Sequence, residues 1–504
     1  MFNEKMYPIM LDYSENKKVS VQSLLFGHRI KPQQTLYEYL IEFLIVAMAR
    51  KKISEDRFLD MFPICNSIVG NKIEYSPLSN MGLKRFVFFE NSRIDNRANI
   101  DKKAYAKCKE LIAEHIDSGI GLSKNECIFV LQNVLYGFSV ENAGRSWFVK
   151  NLLPVCADVL FPEALGKQDL RKGLDLEESE KNDIDKKFEY NSYTYMCRGG
   201  EVYYLHILHA LNSNPDKKDC IECKIKKMIN SMPEIAAISS FIQKTWSDEM
   251  GIDDKSIIKK TLGAIPSDFS RRDTHTISEL DNFLSCRIQP MEKLDLFSYG
   301  LILQILRMMF SAADAISNNT MWLLDMSDNT YREHSEILKL CAESFVSNEE
   351  SIKKYIYEGI EYYFGGEEQS KKDRRFKDAE ADTYKLFRKL AKEIGILIPL
   401  KGGNMRFTLS EEIVKFLVMS LIPPRKKVTF DQFLDMIYDH FGMLVTTEHY
   451  YRAVEEGKIS SSRDATFLIA NKAAFAQKLK NCGFLRDLSD ATAIVENPYE
   501  RESD

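Results

Sequence analysis

The stretch from Lys293 to Ser317 constrains the fold of this chain more than any other part of the sequence. Its apolar residues recur at the spacing of an α-helix, and further apolar residues lie between them. The residues that carry the period are Leu294, Phe297, Leu301, Ile305, Met308 and Ala312. A helix that is apolar on nearly all of its faces is usually buried at the centre of a protein. The sequence therefore predicts a mainly α-helical protein with this helix in its core.

The composition agrees with a folded, soluble protein. Hydrophobic residues make up 44% and charged residues 28% of the 504 residues, and the length suits roughly three domains. The net charge of −5 is small, so any contact with nucleic acid depends on local basic patches. The apolar runs Leu40–Ala49 and Leu296–Leu306 are shorter than the roughly 20 residues that span a bilayer. The ten cysteines are scattered and the first residues lack a signal-peptide pattern, so we expect a cytoplasmic protein without membrane contact.

Capping signals and composition predict the other elements. Thr35 and Glu38 have the spacing of a capping box and predict a helix from Leu36 to about Ala49. The run Lys84–Phe89 is predicted to form a strand. The chain is divided into an N-terminal helical domain (1–165), a charged connector (166–190), a central helical domain (191–364), a charged linker (365–381) and two C-terminal modules (382–424 and 425–504).

The first C-terminal module has the most specific local pattern. A helix over Tyr384–Glu393 ends at Gly395, and two short apolar strands flank the turn Gly402–Asn404. A second helix begins after Ser410, a residue type favoured as an N-cap. The order helix, glycine, hairpin, helix resembles the winged-helix family. In that family the helix before the hairpin usually enters the major groove of DNA, and the hairpin is the wing.

The charges around the first module agree with this resemblance. Lys385, Arg388, Lys389 and Lys392 stand at i, i+3, i+4 and i+7, so they share one helical face. The residues that we assign to contact with duplex DNA are Arg374, Arg375, Lys385, Arg388, Lys389, Lys392, Lys401 and Arg406. Cations in this arrangement would neutralise phosphates and make the affinity strongly dependent on salt. The alternative is a solvated helix face without a ligand.

The second module follows a similar order and differs in charge. It has an amphipathic helix over Thr429–Phe441, another helix over Asn471–Asn481, and a hairpin after Gly483. The acidic residues of this hairpin are Asp487, Asp490 and Glu496. An acidic wing repels phosphate, so the second winged-helix-like module is predicted to bind protein.

Four residues have the spacing of metal ligands. His206, His209, Cys220 and Cys223 form an H-x2-H…C-x2-C arrangement of the nitrogen and sulphur ligands that zinc prefers. Ordinary packing is the favoured interpretation, because the two histidines lie in an apolar helix and the two cysteines begin another one. The sequence therefore predicts no cofactor, with a structural zinc ion at these four residues as the alternative.

The overall order of a large helical body and winged-helix-like modules resembles the helical, non-ATPase accessory subunits of bacterial multi-gene anti-phage defence systems. This resemblance implies a non-enzymatic DNA-binding or assembly subunit, with duplex DNA and other protein subunits as partners. No P-loop or dinucleotide-binding motif occurs in the sequence, which disfavours an ATPase.

Two alternatives to that function remain open. One is a protein adaptor similar to the winged-helix accessory subunits of chromosome-organising ATPases. The other is an enzyme such as a nuclease, with a site assembled from the central domain. The polar loop Ser270–His275 of that domain has residues that could contact an anion or merely cap a helix.

Overall fold

The computed structural model describes residues 6–8, 20–27, 34–54, 57–63, 72–78, 80–90, 99–117, 121–140, 150–161, 174–175, 177–179, 199–250, 260–317, 320–327, 335–459, 463–489 and 492–502. Within these ranges the protein is mainly α-helical, as predicted, and its strands are short.

The helices before residue 365 are α1 (Val21–Phe26), α2 (Leu36–Met48), α3 (Met81–Phe88), α4 (Asn99–His115), α5 (Lys124–Tyr136), α6 (Gly199–Ser213), α7 (Lys218–Ile229), α8 (Pro233–Met250), α9 (Asp273–Ser285), α10 (Pro290–Ser317) and α11 (Ser335–Phe364). The helices after it are α12 (Gln369–Glu393), α13 (Glu411–Leu421), α14 (Phe430–Phe441), α15 (Thr447–Glu455) and α16 (Leu468–Asn481).

The strands are β1 (Met6–Tyr7), β2 (Arg50–Ser54), β3 (Arg57–Leu59), β4 (Glu74–Ser76), β5 (Lys260–Thr261), β6 (Ile265–Pro266), β7 (Cys286–Arg287), β8 (Trp322–Leu323), β9 (Leu397–Ile398), β10 (Arg406–Phe407), β11 (Lys427–Thr429), β12 (Met443–Leu444), β13 (Leu485–Ser489), β14 (Thr492–Glu496) and β15 (Glu500–Arg501). They form a four-stranded sheet in the order β3-β2-β4-β5, a three-stranded sheet in the order β11-β14-β13, and two-stranded pairs.

Helix α10 lies at the centre of the protein, as its sequence predicts. It packs against α2, α6, α11 and α13, and its apolar residues are buried along its length. The segment Pro290–Asp314 is long and apolar enough to cross a membrane, but 89% of its most apolar window is buried inside the protein. This burial identifies the segment as a core helix of the fold.

Helix α2 begins where the capping box predicts. The Thr35 backbone N–H donates to the Glu38 carboxylate at 2.6 Å, which satisfies one of the free amides of the first turn. Helix α6 packs closely on α2 because it begins with two glycines. A Cβ atom on Gly200 would lie 2.2 Å from the Tyr39 carbonyl oxygen, so a larger residue at this position would separate the two helices.

One predicted element is wrong, and another segment has more helix than expected. The run Lys84–Phe89 is not a strand, because residues 81–88 form α3 and its side chains are buried on all sides. Packing against α4, α5 and α8 outweighs the weak strand preference of Phe and Val. The charged linker predicted at 365–381 is also mostly helical, since α12 runs without a break from Gln369 to Glu393. The connector predicted at 166–190 lies almost wholly outside the described residues.

The C-terminal segments pack into the helical body. Strand β8, which follows α10, pairs in parallel with β12, and β15 near the C-terminus pairs with β7. Trp322 of β8 stacks on Phe407 of β10 with ring centroids 4.6 Å apart. Apolar residues on both sides of the predicted linker therefore share one continuous core.

Candidate functional site

The first C-terminal module has the predicted order of elements. Helix α12 ends before Gly395, whose φ of 70° lies in the left-handed region that glycine tolerates. Strands β9 and β10 form an antiparallel hairpin, and the Ser410 hydroxyl accepts the Ile413 backbone N–H at 3.3 Å to cap α13. Phe407 is buried, whereas residues 400–404 of the turn are mostly exposed. The hairpin therefore packs on the core and presents only its turn to solvent.

Four of the eight predicted DNA-binding residues bond to groups outside α12 and its hairpin turn, and these are Arg375, Arg388, Lys389 and Arg406. Arg388 makes a bidentate ion pair with Glu349 at 2.6 Å for both contacts, and Arg375 makes one with Glu367 at 2.8 and 2.9 Å. These bonds raise the pKa of both arginines. Lys389 donates to the backbone oxygen of Gln34 at 2.9 Å.

Arg406 is the clearest departure from the predicted DNA-binding set. Its side chain is 4% exposed and forms an ion pair with Asp325, whose side chain is 2% exposed. A guanidinium group in this position cannot reach a phosphate in solution. Arg406 therefore links β10 to the segment after β8 and is not available for DNA.

The other four residues lie on one accessible side of the protein. Arg374, Lys385 and Lys401 are exposed, and Lys392 is half-buried, with its ammonium group donating to the Leu400 backbone oxygen at 2.9 Å. The Lys392 bond places the end of α12 beside the hairpin turn that carries Lys401. The opposite side of α12 buries apolar residues, which are Leu386, Phe387 and Leu390, against α10 and α11.

Three of the four candidate zinc ligands have other partners. His206 is fully buried and its Nε2 lies 2.7 Å from the Thr276 hydroxyl, while His209 Nδ1 lies 2.5 Å from the Asp273 carboxylate. Cys220 Sγ is 3.8 Å from the Asp281 carboxylate. Cys223 is exposed and lines a surface groove of about 830 Å³ together with charged residues of both signs. The predicted set is not a convergent metal site, because helices α6 and α7 direct these side chains to different neighbours.

A different histidine cluster lies at the start of α9. Among the residues that the structure describes, His275, Glu279 and His440 form a group whose nitrogen and carboxylate oxygen atoms all lie within 4.8 Å of one another. His440 Nδ1 is 3.0 Å from Glu279 Oε1, and the two imidazole rings have centroids 4.1 Å apart. Glu279 is buried, while both histidines are partly exposed. The cluster joins α9 of the body to α14 of the second module.

Buried polar residues surround Glu279. The Arg272 guanidinium donates to the carboxylate at 3.2 Å, and the Gln304 amide donates to the same group at 2.5 Å. Arg272 also donates to the backbone oxygen of His440. Burial alone would raise the pKa of Glu279, but the charge of Arg272 and the bond to His440 lower it below its usual value.

Only part of this cluster can be recognised from local sequence patterns. Arg272 and His275 belong to the polar loop predicted to contact an anion or cap a helix. Their partners Glu279 and Gln304 lie further along the chain, and His440 is 161 residues beyond Glu279. No local spacing could indicate that contact. Within the sequence, the i, i+4 spacing of His275 and Glu279 is the one pattern that indicates two members of the cluster lie together.

The second module has its own accessible face on α16. Ile469, Ala473 and Gln477 are exposed at i, i+4 and i+8 and therefore share one side of the helix. Two lysines of the helix bond within the protein, because Lys472 pairs with Asp431 at 2.6 Å and Lys478 donates to the Leu409 backbone oxygen. The exposed centre of this helix is therefore neutral.

Comparison of this chain with protein-family models, with curated proteins and with solved structures finds no significant match.

Proposed function

We propose that this protein is a non-enzymatic DNA-binding or assembly subunit of a bacterial multi-protein system of the anti-phage defence type, and that DNA binding is its first role. The observation that carries the proposal is the set of accessible cations along α12 and its hairpin turn. Arg374, Lys385, Lys392 and Lys401 lie on one side of the protein and away from the packed side of the helix.

The spacing of these cations suits a nucleic-acid backbone. Lys385 and Lys392 follow Arg374 by 11 and 18 residues, close to whole numbers of helical turns, so all three face the same way. At 1.5 Å per residue they extend over roughly 27 Å, which is long enough to follow several phosphates. Asp378 is exposed one turn from Arg374 and offsets part of the charge. We therefore expect contact with the phosphate backbone and little readout of base sequence.

The order of elements supports a winged-helix assignment as part of this proposal. In both modules a helix is followed by an antiparallel hairpin, with β9–β10 after α12 and β13–β14 after α16. In the second module β11 adds a third strand to the hairpin. The first module is integrated into the body, and Arg388 and Lys389 of the predicted face bond within it. Contact with DNA would therefore involve the solvent side of α12, where Lys385 and Lys392 of that face lie with Arg374.

Fluorescence anisotropy with a short labelled duplex tests the DNA part of the proposal. The variant Arg374→Glu/Lys385→Glu/Lys401→Glu should bind far more weakly than the wild-type protein at low salt. A matched control, Arg463→Glu/Lys107→Glu/Lys339→Glu, makes the same charge change at exposed positions on other elements. Equal losses in both variants would mean a general charge effect and would reject α12 as the binding surface.

A second candidate function is that of a protein adaptor without DNA binding, and the neutral face of α16 favours it. Ile469 is 69% exposed at the N-terminal end of that surface, and a helix before a hairpin is the recognition element of winged-helix proteins. Photo-crosslinking in cells from positions 469 and 473 should then give the same discrete protein adduct, whereas position 339 on α11 should give none. Identical products from all three positions would reject this surface.

A further inference from the structure

We propose that His275, Glu279 and His440 bind a divalent transition-metal ion of the Zn²⁺ class between α9 and α14. All three ligand atoms lie within 4.8 Å of one another. In zinc sites nitrogen and oxygen ligands stand about 2.0–2.2 Å from the metal, so neighbouring ligands in a tetrahedron are roughly 3.3 Å apart. Small side-chain rotations would bring the three ligand atoms from within 4.8 Å of one another to about 3.3 Å.

The backbone positions of the three residues suit chelation. His275 and Glu279 are one turn apart on α9, so both side chains extend from the same face. His440 lies in the last turn of α14, which ends at Gly442 with a φ of 63°. The His275 and His440 rings are tilted by 43° to each other, with centroids 4.1 Å apart.

Neighbouring side chains hold the carboxylate of this cluster in position. The carboxylates of metal sites are usually fixed by further hydrogen bonds. Gln304 and Arg272 provide such bonds to Glu279, at 2.5 and 3.2 Å. The buried carboxylate is therefore oriented before any ion binds.

The ligand types of this cluster indicate which class of ion it would bind. Mg²⁺ and Ca²⁺ require several oxygen ligands and negative charge, whereas this cluster has one carboxylate already paired with Arg272. Two imidazole nitrogens instead suit zinc and the metals that resemble it. His275 and His440 are partly exposed, so solvent can supply the fourth ligand. A bound ion would then tie the second module to the helical body.

Zinc titration of the full-length protein, stripped of metal with a chelator, tests this proposal. Competition with a chromophoric chelator should give one tight site per chain that Mg²⁺ and Ca²⁺ do not displace. His275→Ala and His440→Ala should each weaken Zn²⁺ binding at least tenfold. The control His115→Ala removes an exposed histidine on α4 and should leave the affinity unchanged. Zinc should also raise the melting temperature of the wild-type protein and not that of His275→Ala.

Two results would overturn the metal site. One is the absence of stoichiometric Zn²⁺ binding by the wild-type protein. The other is wild-type affinity in His275→Ala together with loss of binding in Cys220→Ser/Cys223→Ser, which would place the ion on the cysteine pair. Melting curves of each variant in excess chelator establish that a loss of affinity is not a loss of folding.

Discussion

Removing Asp325 should destabilise the protein more than most single substitutions. The Asp325 carboxylate pairs with Arg406 and also accepts the Ser327 backbone N–H at 2.9 Å. In Asp325→Ala the guanidinium stays buried without its counter-ion. Breaking a buried pair by removing one partner costs about 3–5 kcal/mol, because the remaining charge is not solvated. With a denaturant slope of about 3 kcal/mol/M, the urea midpoint should fall by about 1–1.7 M.

Circular dichroism during urea unfolding measures this shift. Asp378→Ala, at an exposed position on α12, is the matched control and should unfold within about 0.2 M of the wild-type protein. The double variant Asp325→Leu/Arg406→Met replaces both charges by apolar groups and should recover most of the lost stability. An unchanged midpoint for Asp325→Ala would refute the assignment of Arg406 to the core. If Arg406 is structural, the double variant should also bind duplex DNA like the wild-type protein.

Three further predictions concern the core. Gly300→Ala should cost about 1–3 kcal/mol of stability, since its Cβ would lie 2.0 Å from the Phe416 ring. Adding Phe416→Leu to this variant should restore its stability to urea. Losses of the two substitutions that simply add would contradict this. Asn471→Ala should cost about 3 kcal/mol or more, because it leaves the Met326 N–H and the Leu324 and Val445 carbonyls without their hydrogen bonds. A urea midpoint equal to that of the control Asn481→Ala would contradict this. Burial lowers the pKa of His206 to about 3 from 6.5, so the unfolded chain binds more protons between these values. As the pH falls below about 6.5, this histidine should lower the free energy of unfolding by about 1.4 kcal/mol per pH unit. The urea midpoint of His206→Asn should therefore depend less on pH than that of the wild-type protein.

The sequence predicts those parts of the fold that depend on local signals. Helix α10 is recognisable because apolar residues lie on nearly all of its faces. Helix α2 is recognisable because Thr35 and Glu38 have the spacing of a capping box. The cap at Ser410 and the glycine end of α12 are equally local. The Lys84–Phe89 run is different, because its conformation depends on the helices that pack around it. The sequence does not reveal the full length of α12. A highly charged segment can be helical when its arginines pair with carboxylates, as Arg375 does with the preceding loop and Arg388 with α11.

The candidate sites show the same limit. A helical wheel places Lys385, Arg388 and Lys392 together correctly, but it does not reveal that Glu349 neutralises Arg388. The short spacing of His206 and His209 indicated zinc, whereas Thr276 and Asp273 are their partners in the folded protein. The His275–Glu279–His440 cluster depends on a contact between segments that are far apart in sequence.

The salt dependence of DNA binding tests the central proposal most directly. Each phosphate contact releases counter-ions, so log K should fall with log salt at a slope of about −0.9 per contact. Three or four accessible cations along α12 and its turn predict a slope between about −2.7 and −3.6 for the wild-type protein, independent of DNA sequence. A duplex that binds with this slope would support the DNA-binding subunit. Absence of binding at low salt, or a slope near zero, would contradict it.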